Sequence, residues 1–169
     1  MARVILSILS TISLLGQTQP DFSGHWLLVD LEPSAPDVPK SLSVQQTIVR
    51  TNVRGEPIEP FYDTITITRQ FESGPRSQTH KIGVIGGIVP GRRPDGSLNG
   101  PTENSRVKWD GDVLILETST SIGDPRQPEH RVERRELWSL DPNHRLRVVT
   151  TTRSSGSPPA TVTSVYRRS

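Results

Sequence analysis

Asp21-Phe22-Ser23-Gly24-His25-Trp26-Leu27-Leu28-Val29 decides how the rest of the chain is read. It is the first place where an aromatic residue, a glycine, a tryptophan and a β-prone run occur together. Upstream lies a segment with the layout of an export leader. Downstream lie short alternating runs, each of which needs a partner strand to close against.

Working outward toward the N-terminus, Arg3 supplies a positive start, and Val4 to Leu15 is apolar or hydroxylic without a charge. Gly16-Gln17-Thr18-Gln19-Pro20 then forms a small, polar exit. This is the pattern of a secretory signal peptide, and it divides the chain into a leader, 1–20, and a domain, 21–169. The apolar run is short for a membrane span, so no stable span is expected after leader removal. An uncleaved N-terminal anchor is the alternative. The chain has no cysteine, which excludes lipoprotein attachment and a disulfide framework.

The 169 residues suit one domain. Hydrophobic residues make up 31%, low for a globular protein, which implies a thin core with one solvated face per strand. Fifteen prolines and 13 glycines call for many turns. Runs rich in Ala, Leu, Glu and Lys are missing, which disfavours helices. Formal net charge is +2 with both signs interleaved, which argues against a nucleic-acid partner.

Toward the C-terminus the alternation is clearest over Asp63 to Phe71. Ile65, Ile67, Arg69 and Phe71 share one face, and Thr64, Thr66, Thr68 and Gln70 the other. Further strands are expected at Phe22–Asp30, Leu42–Arg50, Thr79–Ile85 and Ala160–Arg168. Asn104–Trp109 and Asp112–Ser121, joined by Asp110-Gly111, read as a hairpin. His130–Leu140 and Arg145–Ser154 read as a second. Gly86 to Pro101 and Ile122 to Pro128 read as loops. The whole is an all-β domain of about eight or nine strands, a sandwich or barrel in which sequential hairpins favour an up-and-down meander. Closing such a sheet removes its edges, and the first and last strands must then pair.

Gly24-His25-Trp26 at the first strand and Val165-Tyr166-Arg167-Arg168 at the last resemble the calycin pattern of lipocalins and fatty-acid-binding proteins. Together with Lys108-Trp109-Asp110-Gly111-Asp112 and Arg135-Glu136-Leu137-Trp138-Ser139-Leu140, they are similar to a group of exported bacterial lipocalin-like proteins. The resemblance implies an antiparallel calycin-like barrel, complete or incompletely closed, in a periplasmic or secreted protein. It also implies closure by Gly24 and Trp26 against Arg167 or Arg168.

Candidate chemistry is sparse. Arg69, Arg134 and Glu136 share parity with apolar neighbours, as does Trp138, so these four are the candidate ligand-binding residues. An inward Arg can hold a carboxylate in a bidentate pair. Ions are seldom fully buried, however, so solvated side chains beyond the core are the favoured expectation for the charges. His25, His80, His130 and His144 lack metal-ligand spacing, so no metal is expected. Ser105-Arg106-Val107-Lys108 matches a Ser-x-x-Lys motif, but a strand puts its Ser and Lys on opposite faces. Gly86-Gly87 and Arg92-Arg93 lack the Gly-Lys-Ser/Thr of a phosphate loop. No catalytic residue and no cofactor are assigned.

The expected function is therefore an exported, non-enzymatic binding module for a small, partly apolar ligand at the barrel mouth. The alternatives are a filled-barrel interaction protein of the envelope and a hydrolase using Glu117, Glu133 or Glu136.

Overall fold

The structure is a computed structural model and describes residues 19–33, 37–88, 100–124 and 127–169. Nearly all of the expected leader, and the Arg92-Arg93 segment, lie outside the described residues.

Alternating residues of the chain form ten strands: β1 (Gly24–Glu32), β2 (Ser41–Thr51), β3 (Pro57–Phe71), β4 (Gly74–Lys81) and β5 (Ile85–Ile88), then β6 (Thr102–Asp110), β7 (Val113–Asp124), β8 (Gln127–Leu140), β9 (Leu146–Ser154) and β10 (Ala160–Arg168). The described residues contain no helix. Inward side chains recur at every second position: Ile65 and Ile67 of β3, Leu114 and Leu116 of β7, Leu146 and Val148 of β9 are all buried. The threonines between them face outward, where Thr66 meets Thr79 at 2.9 Å and Thr68 meets Ser77 at 3.0 Å. Such cross-strand hydroxyl pairs hold β4 in register on β3.

One antiparallel sheet contains all ten strands, in the order β4-β3-β2-β1-β10-β9-β8-β7-β6-β5. Its first and last strands in the chain, β1 and β10, are neighbours, with Trp26 opposite Arg168. Its two ends, β4 and β5, are consecutive in the chain and do not pair with each other. The sheet curls until those ends approach. There Ile82 forms a parallel bridge with Val107, and the Gly83 amide donates to the Val107 carbonyl at 2.7 Å. The result is a nearly closed up-and-down barrel with one unsealed seam.

The ten strands exceed the eight or nine expected because β5 falls within the stretch read as a loop. Its sequence, Ile85-Gly86-Gly87-Ile88, carries two residues of poor strand propensity. Pairing with β6 makes it a strand all the same. At Gly87 a Cβ would lie 2.7 Å from the Glu103 carbonyl oxygen, so only glycine allows this approach. The expected loop at Ile122–Pro128 is also largely strand, the far ends of β7 and β8. Pro57, Pro60 and Pro75 are tolerated because β4 is an edge strand and β3 has only β2 beside it before Thr64.

One end of the barrel is stoppered by aromatic side chains. Phe22 stacks on Trp109 with ring centroids 5.7 Å apart and meets Trp138 edge-on at 6.2 Å. The Trp26 indole donates to the Phe22 carbonyl at 2.8 Å. Arg168 lies over the Trp26 ring at 4.9 Å, the span of a cation–π contact, and also donates to the Asp21 carbonyl at 3.3 Å. Gly24 has φ +132°, a conformation that a side chain would resist, and it lets the chain turn from the stopper into β1. Arg167 pairs with Leu27 in register and is exposed, so the stacking falls to Arg168 alone.

Candidate functional site

Parity puts Arg134, Glu136 and Trp138 on the inner face of β8, two residues apart each time. Arg69 reaches the same point from β3, five positions away in the strand order, so the contact crosses the interior. Its guanidinium Nη2 donates to Glu136 Oε2 at 3.0 Å, and its Nη1 donates to Gln78 at 3.2 Å. Arg134 Nε donates to Glu136 Oε1 at 2.7 Å, and Trp138 Nε1 donates to Oε2 at 2.8 Å. Three of the four sequence candidates therefore converge on the carboxylate of the fourth, Glu136. The expectation that the charged members are solvated fails for Arg69 and Glu136, which are 7% and 2% exposed. Pairing and three hydrogen bonds make that burial tolerable.

Burial alone raises the Glu136 carboxyl. The guanidinium groups of Arg69 and Arg134, with hydrogen bonds from Trp138 and Arg69, outweigh it and hold the group below the ordinary carboxylate range. Glu136 is thus a fixed anion in the middle of the barrel. Tyr166, on the adjoining wall, is pushed up to about 12 by burial and by the Glu136 charge, against a hydrogen bond from Ser164.

This cluster separates two chambers. The larger, about 790 Å³, lies beneath the seam between β4 and β5–β6, walled by Phe71, Val107 and Leu116 with His80, Ser105 and Thr118. The smaller, about 360 Å³, lies under the β1–β2 connection and is more apolar, with Leu42, Val148, Val162 and Trp138. Tyr166 donates to the Pro39 carbonyl at 3.2 Å and so ties that connection over the smaller chamber.

His80 of β4 and Ser105 of β6 face each other across the seam, with 3.2 Å between His80 Nδ1 and Ser105 Oγ. The other ring nitrogen, Nε2, is buried without a partner among the described residues. Burial and the nearby Arg69 charge lower the His80 pKa, and Glu136 opposes them only in part. His80 is therefore neutral at neutral pH. Sequence reasoning missed it. Parity on β4 shows that it shares a face with Gln78, but only barrel closure brings Ser105 opposite.

The other sequence features separate. Glu117 and Glu133 lie on the outer face, paired with Arg135 at 3.6 Å and Arg131 at 2.8 Å, and do not approach Glu136. His25, His130 and His144 are exposed, and no metal-binding cluster occurs among the described residues. Ser105 lines the larger chamber, whereas Lys108 has the opposite parity on β6. No helix among the described residues is long and apolar enough to cross a membrane.

No protein-family model matches the chain, and no curated protein is found to match it.

Proposed function

We propose that this chain is an exported binding module that holds a small, partly apolar ligand in the chamber beneath the seam. The observation that carries this reading is the chamber itself. Its volume of about 790 Å³ falls in the range of small-molecule sites, and its walls combine apolar surface with a few convergent polar groups. A filled barrel with a purely structural role would leave no such space.

The binding role is favoured over catalysis by the placement of the reactive groups. Glu136 is committed to three donors, and Glu117 and Glu133 lie outside. In the His80–Ser105 pair no carboxylate orients the remaining ring nitrogen among the described residues. Export is supported by the leader-like pattern of residues 1–20. Calycin kinship is supported by the β1–β10 pairing and by the Trp26–Arg168 contact.

Titrating the purified domain with a panel of lipophiles, read by tryptophan fluorescence, tests the binding role. Saturable quenching or a blue shift is expected, with Trp138 in contact with the central cluster. A flat response to every class in the panel would sink the reading. Cell fractionation with N-terminal sequencing tests export: periplasmic protein that lacks the leader is expected, and recovery in the cytoplasm alone with Met1 intact would overturn it.

A further inference from the structure

We propose that the chamber beneath the seam takes the phosphate monoester of an apolar alcohol, with the phosphate held by a row of donor side chains that ends at Arg134. The inference rests on the binding-module reading and names the ligand class for that same chamber. The row follows from strand register. Ser105 of β6 lies opposite Thr118 of β7, and Thr118 lies opposite Arg134 of β8. Residues directly opposite one another on antiparallel strands share a face, about 5 Å apart. All three line the chamber. One row deeper stand Val107, Leu116 and Glu136, and one row the other way stand Glu103, Thr120 and Val132. Of the three rows, only the middle one consists entirely of groups that can donate.

Arg134 has donors to spare. It engages Glu136 through Nε alone, and its two terminal nitrogens have no partner among the described residues. Those nitrogens form the planar fork that grips a phosphate in bidentate fashion. At the other end of the row, His80 and Ser105 share one hydrogen bond. If Ser105 donates it, the His80 proton sits on Nε2, which is buried without a partner among the described residues. If His80 donates it, Ser105 keeps its hydroxyl proton to donate elsewhere. In both arrangements one donor is left over beside the row.

Charge favours a dianion. Four cations line the chamber, Arg69, Arg76, Lys81 and Arg134, against two carboxylates, Glu103 and Glu136. Glu136 is already compensated by its three donors. Arg76, over the Phe71 ring at 4.9 Å, and Lys81 are exposed and raise the potential at the entrance. A phosphate monoester carries a charge of about −1.5 to −2 at neutral pH and offers three acceptor oxygens. A carboxylate brings one charge and two oxygens, so it leaves more of the row unused. Phe71, Val84, Val107 and Leu116 give the apolar body of the ligand its wall.

The test is calorimetric titration at neutral pH and fixed ionic strength. The probes are 2-naphthyl phosphate, 2-naphthoate and 2-naphthol, which share a ring system and differ at the head group, and inorganic phosphate, which lacks the ring. The naphthyl phosphate is expected to bind wild type at least about ten-fold more tightly than each of the other three, a gap of about 1.4 kcal/mol. Arg134→Gln should erase most of its advantage over 2-naphthol. If that variant does not fold, Thr118→Val, which removes one hydroxyl from the middle of the row at nearly constant shape, should narrow the same gap. Equal or tighter binding of 2-naphthoate or 2-naphthol by wild type overturns the proposal, as does a gap that neither variant changes. Inorganic phosphate binding as tightly as the naphthyl phosphate makes this a free-anion site and overturns the assignment of an apolar body. A lack of saturable binding by all three naphthyl compounds overturns the binding-module reading, and this inference with it.

Discussion

Arg69 of β3 and Glu136 of β8 meet at 3.0 Å across the barrel interior, although 67 residues separate them in the chain. The pair replaces the oily centre expected of a lipid carrier with a hydrogen-bonded ionic strut. Only curling of the sheet can bring β3 and β8 together, so the strut and the closure depend on each other.

Breaking one side of this strut should be costly. Arg69→Leu leaves Glu136 buried with only Arg134 and Trp138, and about 3–5 kcal/mol of stability should be lost. Replacing both partners, Arg69→Leu with Glu136→Leu, should recover a substantial part, because no uncompensated anion remains. Urea unfolding of the two single variants and the double variant measures this. Additive losses would show that the two residues do not act as a pair.

Closure at the stoppered end makes a graded prediction. Trp26 is 1% exposed, and Trp26→Ala should cost about 3–5 kcal/mol through lost packing. Arg168→Ala removes a cation–π contact at the surface and should cost about 0.5–1 kcal/mol. Arg167→Ala, on the exposed side of β10, should stay within about 0.5 kcal/mol of wild type. Denaturant midpoints for the three variants test the order. A larger loss at Arg167 than at Arg168 would reject the assignment of Arg168 as the stacking partner.

These sites were legible in the sequence to different depths. Alternation on two strands was enough to put Arg69 with Ile65 and Ile67, and Glu136 with Arg134 and Trp138. It could not show which strands face each other across the interior, because that depends on sheet order and curvature. Without a cross-barrel partner in view, solvation is the cheaper expectation for an Arg or Glu, and here it is wrong. The pairing of first and last strands follows from the need to remove edges, and β1 and β10 pair as expected. The His80–Ser105 contact was hidden for another reason. It bridges a seam whose position depends on β5, and Gly86 and Gly87 make β5 read as a loop.

The seam itself can be loosened by a single atom. Ser105→Ala removes the hydroxyl opposite His80 Nδ1 and leaves both ring nitrogens without partners, at a cost of about 1–2 kcal/mol. Hydrogen exchange should speed up first at the Gly83 amide, which bonds to Val107 beside the seam. Unchanged protection at Gly83 would mean that the His80–Ser105 contact does not hold the seam.

Two buried groups set the acid response, and their windows differ. His80 has a folded pKa below its ordinary 6.5, so on acidification the unfolded chain takes up its proton first. Stability is therefore unaffected by His80 above that value, starts to fall as pH drops below about 6.5, and levels off below the folded pKa. Glu136 also has a depressed folded pKa, but from an ordinary 4.5. Its contribution is present above about 4.5 and is lost as pH falls through the folded value. Unfolding midpoints measured from pH 8 to pH 3 should thus decline in two steps. His80→Gln should remove the upper step and keep the lower one, which also carries the surface carboxylates Glu72 and Asp141, both shifted downward by their partners. If the upper step persists in His80→Gln, the group responsible is not His80, and the buried, neutral state assigned to it is wrong.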